Sequence, residues 1–412
     1  MPQIRRRARF AAMESYTMFK EAIEKYYPEM KAIREDIHRH PELSFKEERT
    51  CALIMEKLKE YGVDEVQKVW NTGVVGLIKG QLGEGKCIAI RADTDALPVI
   101  EESGVAFTSE VPGVMHACGH DIHVTALLTT ARLLCENRDK FKGCVKLIFQ
   151  PAEESANPND TSGGAKPMIW NGCMENPHVD AIIAMHVEPS DVQHPTFALK
   201  RGVITSGFDV YRFDVHGKTA HGSQPQHGHD AVLALSQFIT LLQQVVSRNV
   251  DPLRTAILTV GTISGGSAIN IIPDFATAGG VFRYYDNETA KVIYDNTCAI
   301  AKGVELVSGC KIDIDSKQGY ACVVNDDGLV DLALDTLGKE NVMMMDEPAS
   351  GSEDFSAYSL LTGVPSCFLW LRTGSLTDGV YSLHSSKCVL SSEAIKVAAD
   401  GFTSIAINYL NK

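Results

Sequence analysis

No stretch of this sequence stays apolar for the roughly 20 residues that a bilayer-spanning helix requires, so no transmembrane segment is expected. Positive charge is scarce as well: 39 Lys and Arg stand against 52 Asp and Glu, a formal net charge of -13. That balance argues against a phosphate-binding surface and so against nucleic acid as a partner. Arg5, Arg6, Arg7 and Arg9 crowd the N-terminus, but Glu14, Lys20, Glu21 and Glu24 follow where a targeting signal needs an apolar run. Residues 1–12 therefore read as a disordered extension. Eleven cysteines are too dilute for a disulfide-stapled scaffold, and Cys51, Cys87, Cys135, Cys144 and Cys367 lie within apolar segments. That usage suits a reducing cytoplasm. There is no internal repeat and no low-complexity tract.

What is present is enough chain for two cores, 412 residues of which 44% are hydrophobic. The first half alternates short apolar strand runs with helix-like runs, the pattern of a largely parallel sheet covered by helices. Cys87 to Ile90 runs into Arg91-Ala-Asp93-Thr-Asp95, Val145 to Phe149 into Gln150-Pro-Ala-Glu153-Glu154, and Ala181 to Met185 into His186. His116-Ala-Cys118-Gly119-His120-Asp121 opens a segment whose Val124, Leu127, Leu128, Ala131 and Leu134 share one helical face. In open α/β sheets such strand ends and helix N-termini converge on one crevice.

From about residue 197 the order becomes strand (208–215), helix (230–248), strand (255–260), strand (276–284), helix (288–307), strand (311–315), a β-α-β-β-α-β unit. The fold expected is α/β. A large catalytic domain with a mixed, mostly parallel sheet spans 13–196 and 314–412, interrupted by a smaller ferredoxin-like α+β domain over 197–313.

Cys118 and His120, two residues apart, are donors suited to a divalent transition metal, although an isolated Cys-x-His triplet is more often a buried thiol and a capping histidine. Glu153 and Glu154 emerge together after a strand, where two carboxylates repel unless a cation or a proton intervenes. His186 closes one apolar run and His384 closes Val380-Tyr-Ser-Leu, both readable as strand ends; each alone would more often be structural. Five donors exceed one tetrahedral site, so either one stands behind the others or two metals share the site; two metals are the favoured reading. Manganese or zinc fits the donor set best, with cobalt or nickel also accepted.

At these residues the sequence resembles the metallo-aminoacylase and indoleacetyl-amino-acid hydrolase family, relatives of glutamate carboxypeptidase within the dinuclear zinc peptidase superfamily. The likeness spans about residues 30 to 395. It is carried by His40-Pro-Glu-Leu-Ser-Phe45, Arg91-Ala-Asp-Thr-Asp-Ala-Leu-Pro98, His116-Ala-Cys-Gly-His-Asp121, Gln150-Pro-Ala-Glu-Glu154, Gly265-Gly-Ser-Ala-Ile-Asn270 with Ile272-Pro-Asp274, and Ser352-Glu-Asp-Phe355, in that order. The resemblance implies that Cys118, His120, Glu154, His186 and His384 hold the metals, that Glu153 is the general base, and that Asp93 stands behind the ligands. It implies further that the inserted domain forms a homodimer or tetramer, that His221 reaches a neighbouring subunit's site to stabilise the oxyanion, and that Asn270 and Arg283 contact substrate. Spacing alone does not choose His221 among the histidines between His216 and His229. The sequence departs from the family after His384, where Ser386 and Cys388 stand in place of a usual proline and phenylalanine. Asp95 and Asp121 read as hydrogen-bonding partners, and His38, His40, His116 and His123 as structural.

The activity implied is hydrolysis of the amide of small N-acyl amino acids carrying acetyl, benzoyl or indoleacetyl groups. The rival within the class is a metal-dependent dipeptidase or aminopeptidase. The rival outside it is a non-catalytic metal-stabilised scaffold, which has no need of Glu153, His221 or Arg283.

Overall fold

A computed structural model describes residues 19–154 and 163–412; the extension expected over 1–12 and the start of the first domain at 13 lie outside the described residues. The apolar runs of the first half form strands β1 (Glu65–Lys68), β2 (Val74–Lys79), β3 (Cys87–Asp93), β4 (Cys144–Gln150), β5 (Ala181–Pro189) and β6 (Thr196–Leu199). Two strands from the C-terminal part, Val342–Met344 and Ser366–Thr373, complete one eight-stranded sheet. From edge to edge it runs β1, β2, β4, β3, β5, Ser366–Thr373, β6 and Val342–Met344. The four central strands are parallel, and β1, β2 and β6 enter antiparallel to a neighbour.

The alternation of side chains along a strand accounts for the layers. Ile88 and Ile90 of β3, Leu147 and Phe149 of β4 and Ile183 and Met185 of β5 share a core with helices α1 (Lys20–Arg39), α2 (Glu48–Glu60), α3 (His120–Glu136) and Glu393–Asn411. On the opposite face Ala89, Ile148, Ile182 and Ala184 pack with Met168, Phe355 and Tyr358. Every α3 residue from His120 to Ala131 is buried, so the helix has no solvent face until its last turns, where Glu136 is exposed. Each buried leucine in it, such as Leu127 or Leu128, stabilises the fold by about 1.5–3 kcal/mol.

The second sheet is antiparallel, in the order Ala256–Gly265, Phe275–Tyr284, Gly207–His216, Lys311–Gln318. Helices Ala231–Gln244 and Asn287–Ser308 pack on it through Leu235, Phe238, Leu242, Ile293, Ala301 and Val304, giving the small lobe a core of its own. Asp230 and Asp286 cap these helices by accepting the amides of Leu233 and Thr289 at 2.9 and 2.8 Å, each worth about 1 kcal/mol. Two strands lie across the limits expected for the insertion, 197 and 313. Thr196–Leu199 hydrogen-bonds within the large sheet, and the last small-lobe strand continues to Gln318 because its ladder with Gly207–His216 continues that far. The helix expected over 230–248 is α-helical only to Gln244, after which Val245–Asn249 widens into a π turn. No helix among the described residues is long and apolar enough to cross a membrane.

One buried charge in the large lobe yields a pH-dependent prediction. Asp400, 6% exposed, accepts the Phe19 amide at 3.3 Å and has no cationic partner among the described residues. Burial pushes its carboxyl from 3.8 up to about 6, the Phe19 hydrogen bond opposing only part of the shift. The folded state thus holds this proton more tightly than the unfolded chain, so its stability contribution is complete below pH about 4 and is lost as pH rises through about 6. Asp400→Asn, which keeps the acceptor, is expected to raise stability at pH 7 by up to about 3 kcal/mol and to give no gain near pH 4. Urea midpoints of both proteins at the two pH values measure this; an equal offset at both would refute the linkage.

Candidate metal centre

The fold brings the five expected ligands together at the carboxyl end of the parallel strands. Gly119 adopts φ +84° just before α3, and a Cβ there would lie 2.5 Å from a Val187 methyl, so the Cys118-Gly-His120 turn needs a glycine in both conformation and space. The turn sends Cys118 and His120 into the same crevice. Arg34 Nε and His38 Nδ1 both bind Asp121 Oδ2, at 2.7 and 2.8 Å, and tie down the first turn of α3.

The Cys118 Sγ lies 3.3 Å from both His186 Nε2 and His384 Nε2, and Glu154 Oε1 lies 3.1 Å from His384 Nε2. Cys118, His120 and His186 form one set of donors all within 4.8 Å of one another; Cys118, Glu154 and His384 form a second, with the thiol common to both. Two imidazoles are oriented as metal ligands are, the inner nitrogen bonded to a backbone carbonyl and the outer one directed at the cluster. His120 Nδ1 donates to Asp95 O at 2.9 Å, and His186 Nδ1 to Val187 O at 2.7 Å. His120 Nε2 is buried with no hydrogen-bond partner among the described residues, its nearest carboxylate oxygens being Asp93 Oδ2 at 3.7 Å and Glu154 Oε1 at 4.0 Å. A thiol, three imidazoles and a carboxylate around an orphaned ring nitrogen fit a pair of borderline divalent ions.

The position of two histidines differs from the strand-end expectation. β5 runs on past His186 to Pro189, so His186 lies within a strand, and His384 lies in a turn at φ +67°, its amide bonded to Ala117 O at 2.9 Å. Ser386 holds this turn by hydrogen-bonding Glu102 through both its hydroxyl and its carbonyl, while Cys388 is buried. His123, close enough to count as a donor, is taken: Val187 N donates to its Nε2 at 3.0 Å, leaving Nδ1 to donate to Asp93 Oδ1 at 2.5 Å. Both of its ring nitrogens are thus engaged within the protein.

The electrostatics favour positive charge here. Burial alone would raise the Asp93 carboxyl, yet His120, His123 and Arg91 hold it well below the usual range. Burial would likewise lower His120, but Asp93 and Asp95 outweigh it and carry the ring up to about 10. His186, by contrast, is pushed down to about 3 by burial and by neighbouring His123, which keeps it neutral. For Glu153, burial first and then Glu353, Glu154 and Asp354 push the carboxyl well above the ordinary range, Arg91 opposing.

Several participants were not assigned a role from sequence. Arg91, fully buried, spreads its guanidinium over Gln150 Oε1, Asp93 Oδ2, Glu353 Oε1 and Asp354 Oδ1 at 3.0, 2.7, 3.0 and 2.8 Å. Tyr320 donates its hydroxyl to Glu153 O at 2.6 Å. The available signal was the two-residue spacing of Arg91 and Asp93, which places both on one face of β3.

Three expected residues lie apart from the five. His221 and Asn270 are exposed neighbours on a small ribbon, Ala220–His221 paired with Ile271–Ile272, and nothing among the described residues joins them to the cluster. His221 Nδ1 bonds Ser223 Oγ at 2.7 Å, and Asn270 O accepts the Gly222 amide at 2.8 Å. Arg283 bridges the lobes, its Nη1 donating to Ser352 Oγ at 3.0 Å and Ser350 O at 3.2 Å beside the Glu353 segment.

Comparison with known proteins places this geometry in a family. The chain is 37% identical to N-acetyl-L-cysteine deacetylase of Bacillus subtilis (strain 168) over 364 residues, 88% of this chain and 84% of that protein. It is 36% identical to hippurate hydrolase of Campylobacter jejuni over 388 residues, 93% of this chain and 97% of that protein. Among solved structures, the YXEP protein of Bacillus subtilis, a dinuclear metal binding peptidase from the M20 family, superposes with a TM-score of 0.80 at 30% identity, covering 94% of this chain and 99% of that one. The family model for peptidases M20/M25/M40 matches residues 89–408, the span that holds all five clustered donors and Glu153, and the chain belongs to that family.

Proposed function

We propose that the protein is a metal-dependent amidohydrolase that cleaves small N-acyl amino acids to a carboxylate and a free amino acid. The observation that carries this reading is the set of buried Cys118, His120 and His186, partly buried Glu154 and exposed His384, with a separate buried carboxylate, Glu153, directly beside it. In this reading Cys118, His120, Glu154, His186 and His384 would together hold two divalent ions, manganese or zinc. Bound ions would supply Lewis acidity at the scissile carbonyl and bring the pKa of water down to about 7. Asp93 keeps His120 and His123 in place from behind. Glu153 takes the proton of the attacking water and delivers it to the departing amine nitrogen, the work of a carboxylate whose proton affinity is raised by burial. The amide-cleaving activities named for its deacetylase and hippurate hydrolase relatives support the substrate class.

The exposed ribbon of His221 and Asn270 is best read as serving a neighbouring copy. Leu233, Leu306 and Val307 stand 56%, 87% and 79% exposed on the small-lobe helices, apolar surface of the kind that association covers. We take the small lobe as the homodimer face, with His221 stabilising the oxyanion across it and Arg283 offering a fork to the substrate carboxylate.

Protein stripped with a chelator and reloaded with manganese or zinc is expected to hydrolyse members of a panel of acetyl, benzoyl and indoleacetyl amino acids, and the stripped protein none. Saturation below two ions per chain together with no hydrolysis of any panel member would sink the reading.

A further inference from the structure

The His40–Phe45 motif contributes no residue to the donor cluster, yet the chain that follows it reaches the turn bearing Glu153 and Glu154. That turn is unusual. After β4 ends at Gln150, Ala152 takes φ +55°, a left-handed conformation that a residue with a Cβ rarely adopts. Three successive amides, of Ala152, Glu153 and Glu154, then point at two buried carboxylates: Ala152 N donates to Glu47 Oε1 at 2.9 Å, Glu153 N to Asp95 Oδ1 at 3.1 Å, and Glu154 N to Asp95 Oδ2 at 3.0 Å.

Both carboxylates are closed off from water, Glu47 at 0% and Asp95 at 1% exposure. Among the described residues no lysine or arginine pairs with Glu47, so hydrogen bonds alone satisfy it. Phe45 N at 3.0 Å shares Oε1 with Ala152, and the Thr72 hydroxyl at 2.6 Å takes Oε2. Ser44 Oγ donates to Asp95 Oδ2 at 2.7 Å, and Leu43 bridges Ala96, so the same loop braces both acids. The backbone carbonyl of Asp95 in turn fixes the His120 ring.

We infer that Glu47 and Asp95 act as a paired brace that holds the strained turn and so sets the separate aims of Glu153 and Glu154, with Glu47 a positioning residue for the reaction proposed above, on which this inference rests. A hydrogen bond to Ala152 N keeps the left-handed residue from relaxing; without it the turn can rotate both glutamates out of register. Glutamine in place of Glu47 preserves the brace, since its amide oxygen accepts from Phe45 and Ala152 and its amide nitrogen donates to the Thr72 hydroxyl. Alanine removes it.

The test uses the full-length protein, with manganese chloride titrated calorimetrically and hydrolysis of N-acetyl and N-benzoyl amino acids measured on the loaded enzyme. Glu47→Ala is expected to lower kcat at least tenfold with KM within about twofold, and to weaken manganese binding at least tenfold, while Glu47→Gln stays within about threefold of the parent on all three readings. A residue that only supports folding would lower the melting temperature and leave kcat and manganese affinity unchanged in the folded fraction; that result overturns the inference, as does Glu47→Gln failing as badly as Glu47→Ala. If Glu47→Ala does not fold, Glu47→Asp keeps the charge but falls one methylene short of Ala152, and turnover equal to the parent's would overturn the brace. Absence of any hydrolysis by the parent protein would count against the proposed activity instead, and the manganese titration would still decide the brace.

Discussion

Glu153→Gln is expected to lower kcat by a factor of about 10²–10⁴, the range typical of losing a positioned acid-base group, while leaving metal stoichiometry unchanged. The substitution preserves volume and the backbone bonds of Glu153, whose amide binds Asp95 and whose carbonyl accepts the Tyr320 hydroxyl, so the turn stays in place. What disappears is a group able to take a proton and return it. A loss of that size corresponds to about 3–5 kcal/mol of transition-state stabilisation at 1.36 kcal/mol per decade. A variant that retains more than a tenth of the parent's kcat would show that Glu153 does not carry the proton. The same variant probes the role of His221. Mixed and reassembled with His221→Ala chains, it is expected to recover turnover, because a mixed dimer contains one site with an intact Glu153 and an intact His221 from the other copy. No recovery, despite exchange of subunits verified by mass, would place His221 outside the neighbouring site.

The second large effect is on stability. Arg91 is the only arginine or lysine among the described residues that ion-pairs with Asp93, Glu353 or Asp354, all of them buried. Arg91→Met removes the cation and leaves those acids facing one another and Glu153 in a site with little solvent. Breaking a buried pair from one side costs about 3–5 kcal/mol, and the loss should shrink as pH falls and the acids accept protons. The carboxyl of Asp354, already carried up to about 8 by burial and by Glu353 against the pull of Arg91, would be among the first to take one. Arg91→Lys is expected to recover only part of the loss, since an ammonium cannot span four acceptors arranged for a planar fork. Denaturant midpoints at pH 5 and pH 8 read the effect; a methionine variant within 1 kcal/mol of the parent at pH 8 would refute the account.

The extent to which all this is legible in the chain varies with the range of the interaction. Cys118, His120, Glu153 and Glu154 announce themselves because each pair lies within one turn, and a single local geometry delivers both members to the same crevice. The alternation of β3, β4 and β5 likewise reads directly as a buried parallel sheet, since side chains on both faces must be apolar. The small lobe's β-α-β-β-α-β order follows from local periodicity, and its sheet order follows from that connectivity. The sheet that Thr196–Leu199 joins is not legible in the same way, because it depends on partners more than 140 residues away.

His186 and His384 mark the boundary. Their donors meet Cys118 from 68 and 266 residues away, one from inside a strand and one from a left-handed turn, so neither location could be read from neighbours in sequence. Arg91, Glu353 and Asp354 were visible as charges but not as a network, since a buried ion cluster is defined by what surrounds it. Glu47 is the extreme case, an ordinary glutamate preceding a helix whose carboxylate becomes significant only when folding brings Ala152 against it. The sequence by itself determined the fold class and the chemistry of the clustered donors, because periodicity and donor type are local properties. Only the tertiary structure decided which nitrogens are free, which carboxylates face a cation and what holds the turn of Glu153 and Glu154, because those depend on burial and on contacts that close loops of a hundred residues or more.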